Sequence, residues 1–195
     1  MYKLCKTAES AKRQREIELA LLKCMKQKSY DELSVNEICA EAGVPRKAFY
    51  RYFDNKESAL TALINHTLES YELTPKKTVM QRSLEGDLEN FFKFWLERGE
   101  LLDVLAKNKL MGNLMQGALA YSETDKAILE KFLPGESAFM QKSIIRFAIC
   151  GLMSAMLSWH ADGFHESPSD MARVMCRMFS SPLFPNLERT DAYSK

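Results

Sequence analysis

The amino-acid sequence predicts an all-α protein, and three observations carry that prediction. Glycine and proline are scarce, 8 and 6 among 195 residues, so few positions resist a helix. Apolar residues recur at three- and four-residue spacing through most of the chain, the period of a helix with one buried stripe. Ser34 stands three residues before Glu37, the S-x-x-E spacing in which each side chain satisfies a free N–H group at a helix start.

The elements follow in order. A first amphipathic helix is predicted from about Ser10 to Lys28, with Ile17, Ala20, Leu21, Cys24 and Met25 on one stripe and charged residues elsewhere. Ser29 to Glu32 breaks that pattern, and a second helix opens at Ser34 with Val35, Ile38, Cys39 and Ala42 facing inward. Gly43 can take the left-handed conformation of a sharp turn, and Val44 anchors it. Pro45 suits the first turn of a third short helix through Phe53, since its missing N–H is not needed there. Asn55 is a suitable N-cap for a fourth helix running to about Leu73.

Beyond Thr74-Pro75-Lys76-Lys77 a longer segment carries Leu84, Leu88, Phe91, Phe92, Trp95 and Leu96 at helical spacing. Shorter helices are predicted around Leu101–Ala106 and Leu110–Tyr121. Leu133-Pro134-Gly135 breaks the chain before a helix from Ser137 to about Ala161, and Ser167-Pro168-Ser169-Asp170 opens a last helix ending near Ser180. The predicted division is residues 1–55 as an N-terminal domain, the fourth helix (55–73) as a connector, and 74–195 as a C-terminal helical domain.

Composition bounds the class. With 46% apolar and 27% charged residues, the chain fits one or two small globular domains. Its net charge of +1 hides an asymmetry: residues 1–66 hold 12 Lys/Arg against 9 Asp/Glu, and the remainder 15 against 17. A polyanion would meet the N-terminal end first, although such charge is also compatible with an ordinary solvated face. The five cysteines, at positions 5, 24, 39, 150 and 176, have no C-x-x-C spacing, which predicts reduced thiols, with redox sensing as the alternative. The N-terminal stretch has no apolar run of the kind a secretory leader needs, and Arg146 interrupts the apolar stretch from Ile144 to Trp159. The expectation is a cytoplasmic protein with no membrane partner.

Two short helices joined by a glycine turn can place the second in the major groove of DNA. Phe49 and Phe53, four apart, would pack on the first two helices and leave Arg46, Lys47, Tyr50 and Arg51 outside. Arginine can fork onto guanine, lysine can reach base acceptors or phosphates, and a tyrosine hydroxyl can donate to a phosphate. Lys56, at the start of the fourth helix, adds a candidate phosphate anchor. The competing account is a helical hairpin with core aromatics and solvated charges.

From about Arg15 to Leu63 the chain resembles the TetR family of bacterial transcriptional regulators, through S-V-N-E-I-C-A-E-A-G-V, then F-Y-R-Y-F, then N-K-E-S-A-L. The resemblance implies a three-helix DNA-binding head followed by a helical ligand-binding and dimerisation domain. It implies phosphate contacts from Ser34, Tyr50 and Lys56, and base-facing positions for Arg46 and Lys47. The sequence departs from the family pattern at Pro45, where a small polar residue is frequent, at Lys47, where Gly is frequent, and at Ala48, where Thr or Ser is frequent. Lys47 either reads a base or touches only phosphate.

The segment Ser137–Ala161 is apolar nearly all round, so it requires two partners. One would be its own domain and the other a second copy of the chain, in a four-helix bundle with the last helix. The candidate interface comprises Phe147, Gly151, Ser154, Ala155, Ser158, Met171, Met175 and Phe179. A dimer would present two recognition helices to a near-palindromic double-stranded operator. Phe92, Trp95, Met111, Met115 and Met153 are either plain core or the lining of an effector pocket, the latter being what the resemblance favours.

His160, Asp162, His165 and Glu166 follow no specific metal-ligand spacing and read as solvated helix-end residues. No nucleophile–base arrangement or phosphate-cradling glycine loop stands out, so neither an enzyme nor a cofactor is expected. The leading expectation is a repressor released by a small-molecule effector of unknown identity. The alternatives are a regulator answering to cysteine oxidation or a protein partner, and a small-molecule-binding protein whose head no longer reads DNA.

Overall fold

The computed structural model describes residues 2, 3, 5, 7–72, 83–122 and 135–180. The predicted boundary at Thr74–Lys77 and the Leu133-Pro134 break lie outside them. Among the described residues the helices are α1 (Ala8–Gln27), α2 (Val35–Glu41), α3 (Arg46–Tyr52), α4 (Lys56–Glu72), α5 (Leu84–Leu96), α6 (Gly99–Lys107), α7 (Met111–Ser122), α8 (Ala138–Ala161) and α9 (Pro168–Ser180).

The chain forms two compact units, one from Met1–Pro75 and Arg98–Ser154, the other from Lys76–Glu97 and Ala155–Lys195. In the first, α1 begins two residues earlier than expected because Thr7 caps it, its hydroxyl accepting from the Ser10 N–H at 3.2 Å. Ile17, Ala20, Leu21 and Met25 are buried as the stripe predicts. Glu18 is also fully buried, which the periodicity did not foretell. Helix α1 packs on α2 and α4, and α2 packs on α3.

The predicted capping box forms in full. Ser34 Oγ accepts from the Glu37 N–H at 3.3 Å, and a Glu37 carboxylate oxygen accepts from the Ser34 N–H at 2.8 Å. Gly43 has φ +64°, so the turn requires the left-handed backbone that glycine adopts without a Cβ penalty. Pro45 is the N-cap itself, one position before its expected place, and supplies no side-chain cap. Asn55 does cap α4: its Oδ1 accepts from the Ser58 N–H at 2.8 Å.

Helix α7 lies on α4, and α6 on α1. The α4–α7 approach is close, since a Cβ on Gly117 would stand 2.7 Å from the Ile64 Cγ2. At the α6–α7 corner Lys109 has φ +59°, a conformation unfavourable for a residue with a Cβ, and the preceding Asn108 is tied down. Its Oδ1 accepts from the Tyr30 N–H at 2.7 Å, and its Nδ2 donates to the carbonyls of Met25 at 3.2 Å and Val104 at 2.8 Å. Lys107 donates to the Lys26 carbonyl at 2.9 Å, and Lys26 pairs with Glu100. The corner thereby satisfies last-turn carbonyls of α1 that the helix itself leaves open.

In the second unit α5 and α9 pack against each other. Leu88, Phe91, Phe92, Phe94 and Trp95 of α5, with Ala172 and Met175 of α9, are buried. Trp159 meets Phe92 edge-on at 5.4 Å and Phe164 at 4.6 Å, and its indole N–H donates to the Glu166 carbonyl at 3.0 Å. The boundary between the units falls within α8. Among the described helices, α8 alone is long and apolar enough to cross a bilayer by length and composition.

Candidate nucleic-acid interface

Seven residues are too few for a helix to persist on its own in water, so α3 owes its place to what it buries. Phe49 and Phe53 are fully enclosed, their rings 5.2 Å apart, and Tyr52 is buried beside them. Each such aromatic is worth on the order of 1.5–3 kcal/mol of burial. Arg46, Lys47, Tyr50 and Arg51 stay exposed, which gives α3 one packed face and one basic, aromatic face. On that face Arg46 Nη2 donates to the Tyr50 hydroxyl at 3.1 Å and its guanidinium lies over the Tyr50 ring at 5.4 Å. Two of the predicted contact residues therefore hold each other in the unbound chain.

Two predicted phosphate contacts are otherwise engaged. Lys56 Nζ donates to the carbonyls of Tyr30, Asp31 and Leu33 at 2.7, 3.0 and 3.1 Å and sits 4.7 Å from the centre of the Tyr30 ring. An ammonium has three protons, and all three serve the α1–α2 connection, so this structure gives Lys56 a clamping role in place of a free phosphate anchor. Ser34 Oγ donates to the Glu37 carboxylate at 2.7 Å while accepting from the Glu37 N–H. Lys28 reaches the same carboxylate at 2.9 Å. The Ser34 hydroxyl, Lys28 and the Ser34 N–H hold the Glu37 carboxyl down at about 2. A phosphate approaching α2 there would meet a carboxylate already in place.

Between α1 and α4 lies a polar cluster that no sequence pattern announced. The buried Glu18 carboxylate receives Arg15 Nη1 at 2.7 Å, and His66 Nδ1 lies 2.9 and 3.0 Å from its two oxygens. The Glu18 hydrogen bond raises the His66 imidazole above its ordinary range, against desolvation. Buried charges persist when paired in this way. The pairing links positions 48 residues apart, a separation for which local periodicity carries no signal.

The predicted pocket residues divide between the units. Met111 and Met115 are half-buried and Met153 buried in the first, whereas Phe92 and Trp95 are core in the second. Of the predicted interface residues, Phe147, Gly151, Ser154, Ser158 and Phe179 are exposed, and Ala155 and Met171 are intermediate. Met175 is buried in the core of the second unit, because the stripe of α9 that carries it packs on α5; it is not available to a second chain. Among the described residues no three His, Cys, Asp or Glu side chains gather as a metal site.

A capped α2, a glycine turn, and a short α3 with one buried and one basic face define a helix–turn–helix head. A sequence model described as bacterial regulatory proteins, tetR family, matches residues 19–63, spanning that motif. Among curated relatives, the uncharacterized HTH-type transcriptional regulator YuxN of Bacillus subtilis (strain 168) is 22% identical over 190 residues, covering 87% of this chain. The chain spans 62% of the length of that relative. Its fold is similar to that of the fatty acid degradation regulator FadR from Bacillus halodurans, with TM-score 0.61 at 14% identity, covering 92% of this chain and 98% of FadR. It is also similar to a tetR-family transcriptional regulator from Streptomyces coelicolor, with TM-score 0.56 at 22% identity and coverage of 87% and 79%. A third likeness is to the dihydroxyacetone kinase operon activator DhaS, with TM-score 0.58 at 15% identity and coverage of 86% and 94%.

Proposed function

We propose that the chain is a homodimeric, cytoplasmic DNA-binding transcriptional regulator, acting as a repressor that a small-molecule effector releases. The observation that carries the DNA reading is the division of α3: its aromatics are locked in the core while Arg46, Lys47, Tyr50 and Arg51 face solvent together. Arg46 and Lys47 would read base edges in the major groove, with Tyr50 and Arg51 toward the backbone. Pro45 would set where that face begins.

The dimer reading is supported by α8, whose Phe139 and Phe147 are 80% and 66% exposed. Apolar side chains crowded on one helix and left in water mark an interaction surface, and a two-fold pair would space two α3 helices along successive major-groove faces. The effector reading draws on the half-buried methionines of α7, Met111 and Met115, whose flexible thioethers adapt to ligand shape. Similar folds carry the names of a regulator of fatty acid degradation and an operon activator, so a metabolite effector is the natural candidate. Oxidation control is less well supported: burial pushes the Cys24 and Cys39 thiols up, and at Cys24 the Glu41 and Glu37 carboxylates add to it. Such thiols stay protonated and react slowly.

Selection from randomised duplexes with the purified chain, followed by fluorescence anisotropy across a salt series, tests the proposal. The expected result is a near-palindromic site bound with a steep salt dependence, weakened when a metabolite panel contains the effector. Absence of any salt-dependent duplex binding would sink the DNA reading, and binding strengthened by the effector would replace release by effector-promoted binding. Lys47→Gly sorts its two roles: altered base preference marks base reading, and uniform weakening with a shallower salt slope marks phosphate contact.

A further inference from the structure

We propose that the extended segment Tyr2–Lys3 is a positioning element for α3, strapping the C-terminal end of this helix to α4. The inference rests on the reading of α3 as the recognition helix. Tyr2 pairs antiparallel with Phe53 as an isolated bridge. The Lys3 N–H donates to the Tyr52 carbonyl at 3.0 Å, and Lys3 Nζ donates to the Tyr50 carbonyl at 3.2 Å. These are last-turn carbonyls with no partner inside the helix: α3 ends at Tyr52, and the Asp54 N–H that a further turn would offer to Tyr50 donates instead to Ser58 Oγ at 3.0 Å.

The Tyr2 side chain carries the strap on to α4. Its ring meets the His66 ring edge-on at 5.7 Å, and its hydroxyl accepts from Asn65 Nδ2 at 3.2 Å. His66 is held in turn by the buried Glu18 of α1. Phe49 and Phe53 fix α3 on its buried side, and Tyr2–Lys3 fixes its C-terminal end. A helix of seven residues lacks the length to set its own direction, and bidentate base contacts tolerate little misplacement. Loosening the strap should therefore weaken operator binding without removing any contact to DNA.

The uncharged Tyr2 isolates this effect, because its removal takes away no phosphate-binding charge. In the full chain, Tyr2→Ala should bind the selected duplex on the order of tenfold more weakly, with the slope of affinity against salt unchanged. Tyr2→Phe keeps the ring contact with His66 and should return to within about twofold of the parent. In the free protein, hydrogen exchange at the amides of Tyr50 to Phe53 should quicken in Tyr2→Ala while those of Ile17 and Leu63 stay protected. Parent-like exchange together with parent-like affinity overturns the proposal, as does a shallower salt slope, which would make Tyr2 a DNA contact. Should the parent bind no duplex at all, the proposed function fails, and the exchange comparison still decides the strap.

Discussion

Helices α3 and α8 are both rich in large apolar residues and dispose of them in opposite ways. Over seven residues, α3 buries Phe49 and Tyr52, with Phe53 just beyond its end, and turns its charges outward. Over twenty-four residues, α8 buries Met153, Met156 and Trp159 towards its C-terminus and leaves Phe139, Ile144 and Phe147 exposed. The short helix is completed by its own chain. The exposed portion of α8 carries apolar area that no other described residues cover, and under the dimer proposal a second copy covers it. Burial predicted from apolar content thus held where the chain supplied the other side.

The sharpest way to break this contrast is to remove the core side of α3. Phe49→Ala should cost about 3–5 kcal/mol, read as a lower urea midpoint with duplex binding lost in parallel; a midpoint near that of the parent would mean that α3 is not held by its core face. Next in size is the exposed side of α8. Phe147→Glu should leave the urea transition of the folded chain within about 0.5 kcal/mol in the monomer, yet shift sedimentation to the monomer and reduce operator affinity by about a hundredfold. A dimer of parental stability would remove Phe147 from the interface.

Asn108→Ala probes a third kind of contact, polar and remote in sequence. Losing its bonds to Tyr30, Met25 and Val104 should cost about 1–3 kcal/mol, whereas an unchanged melting temperature would show that water replaces the side chain freely. The smallest effect concerns pH. His66 is raised above its unfolded value of 6.5 by Glu18 of α1 against desolvation, with Glu69 of α4 assisting and Arg15 of α1 opposing. The stability it contributes is therefore fully present below pH 6.5 and is lost as pH rises through the folded-state value. The urea midpoint of the parent should fall relative to that of His66→Gln between pH 6 and 8.5; parallel profiles for the two proteins would deny His66 this role.

Much of the head was legible because its signals are local. Ser34 with Glu37, Gly43 before Val44, and Asn55 before Ser58 each act within three residues or fewer, and all formed as read. The apolar stripe of α1 was legible for the same reason, apart from Glu18, whose burial depends on partners at Arg15 and on the distant His66. Lys56 looked like a free cation because nothing nearby in sequence shows that three carbonyls of residues 30–33 converge on it. Met175 looked available for the same reason: the stripe that carries it is visible in sequence, but the packing of α9 on α5 is not.

The sequence by itself determined the all-helical class, the caps and turn of the head, and the basic residues on α3, since these follow from helical period and from backbone groups satisfied by near neighbours. Only the tertiary structure decided which polar groups are already engaged. Glu18 with His66, Lys56 with the α1–α2 connection, Asn108 with Tyr30, and Tyr2–Lys3 with the end of α3 all join residues more than twenty positions apart. A hydrogen bond depends on distance and angle in space, and for such pairs only the packing of the helices supplies them.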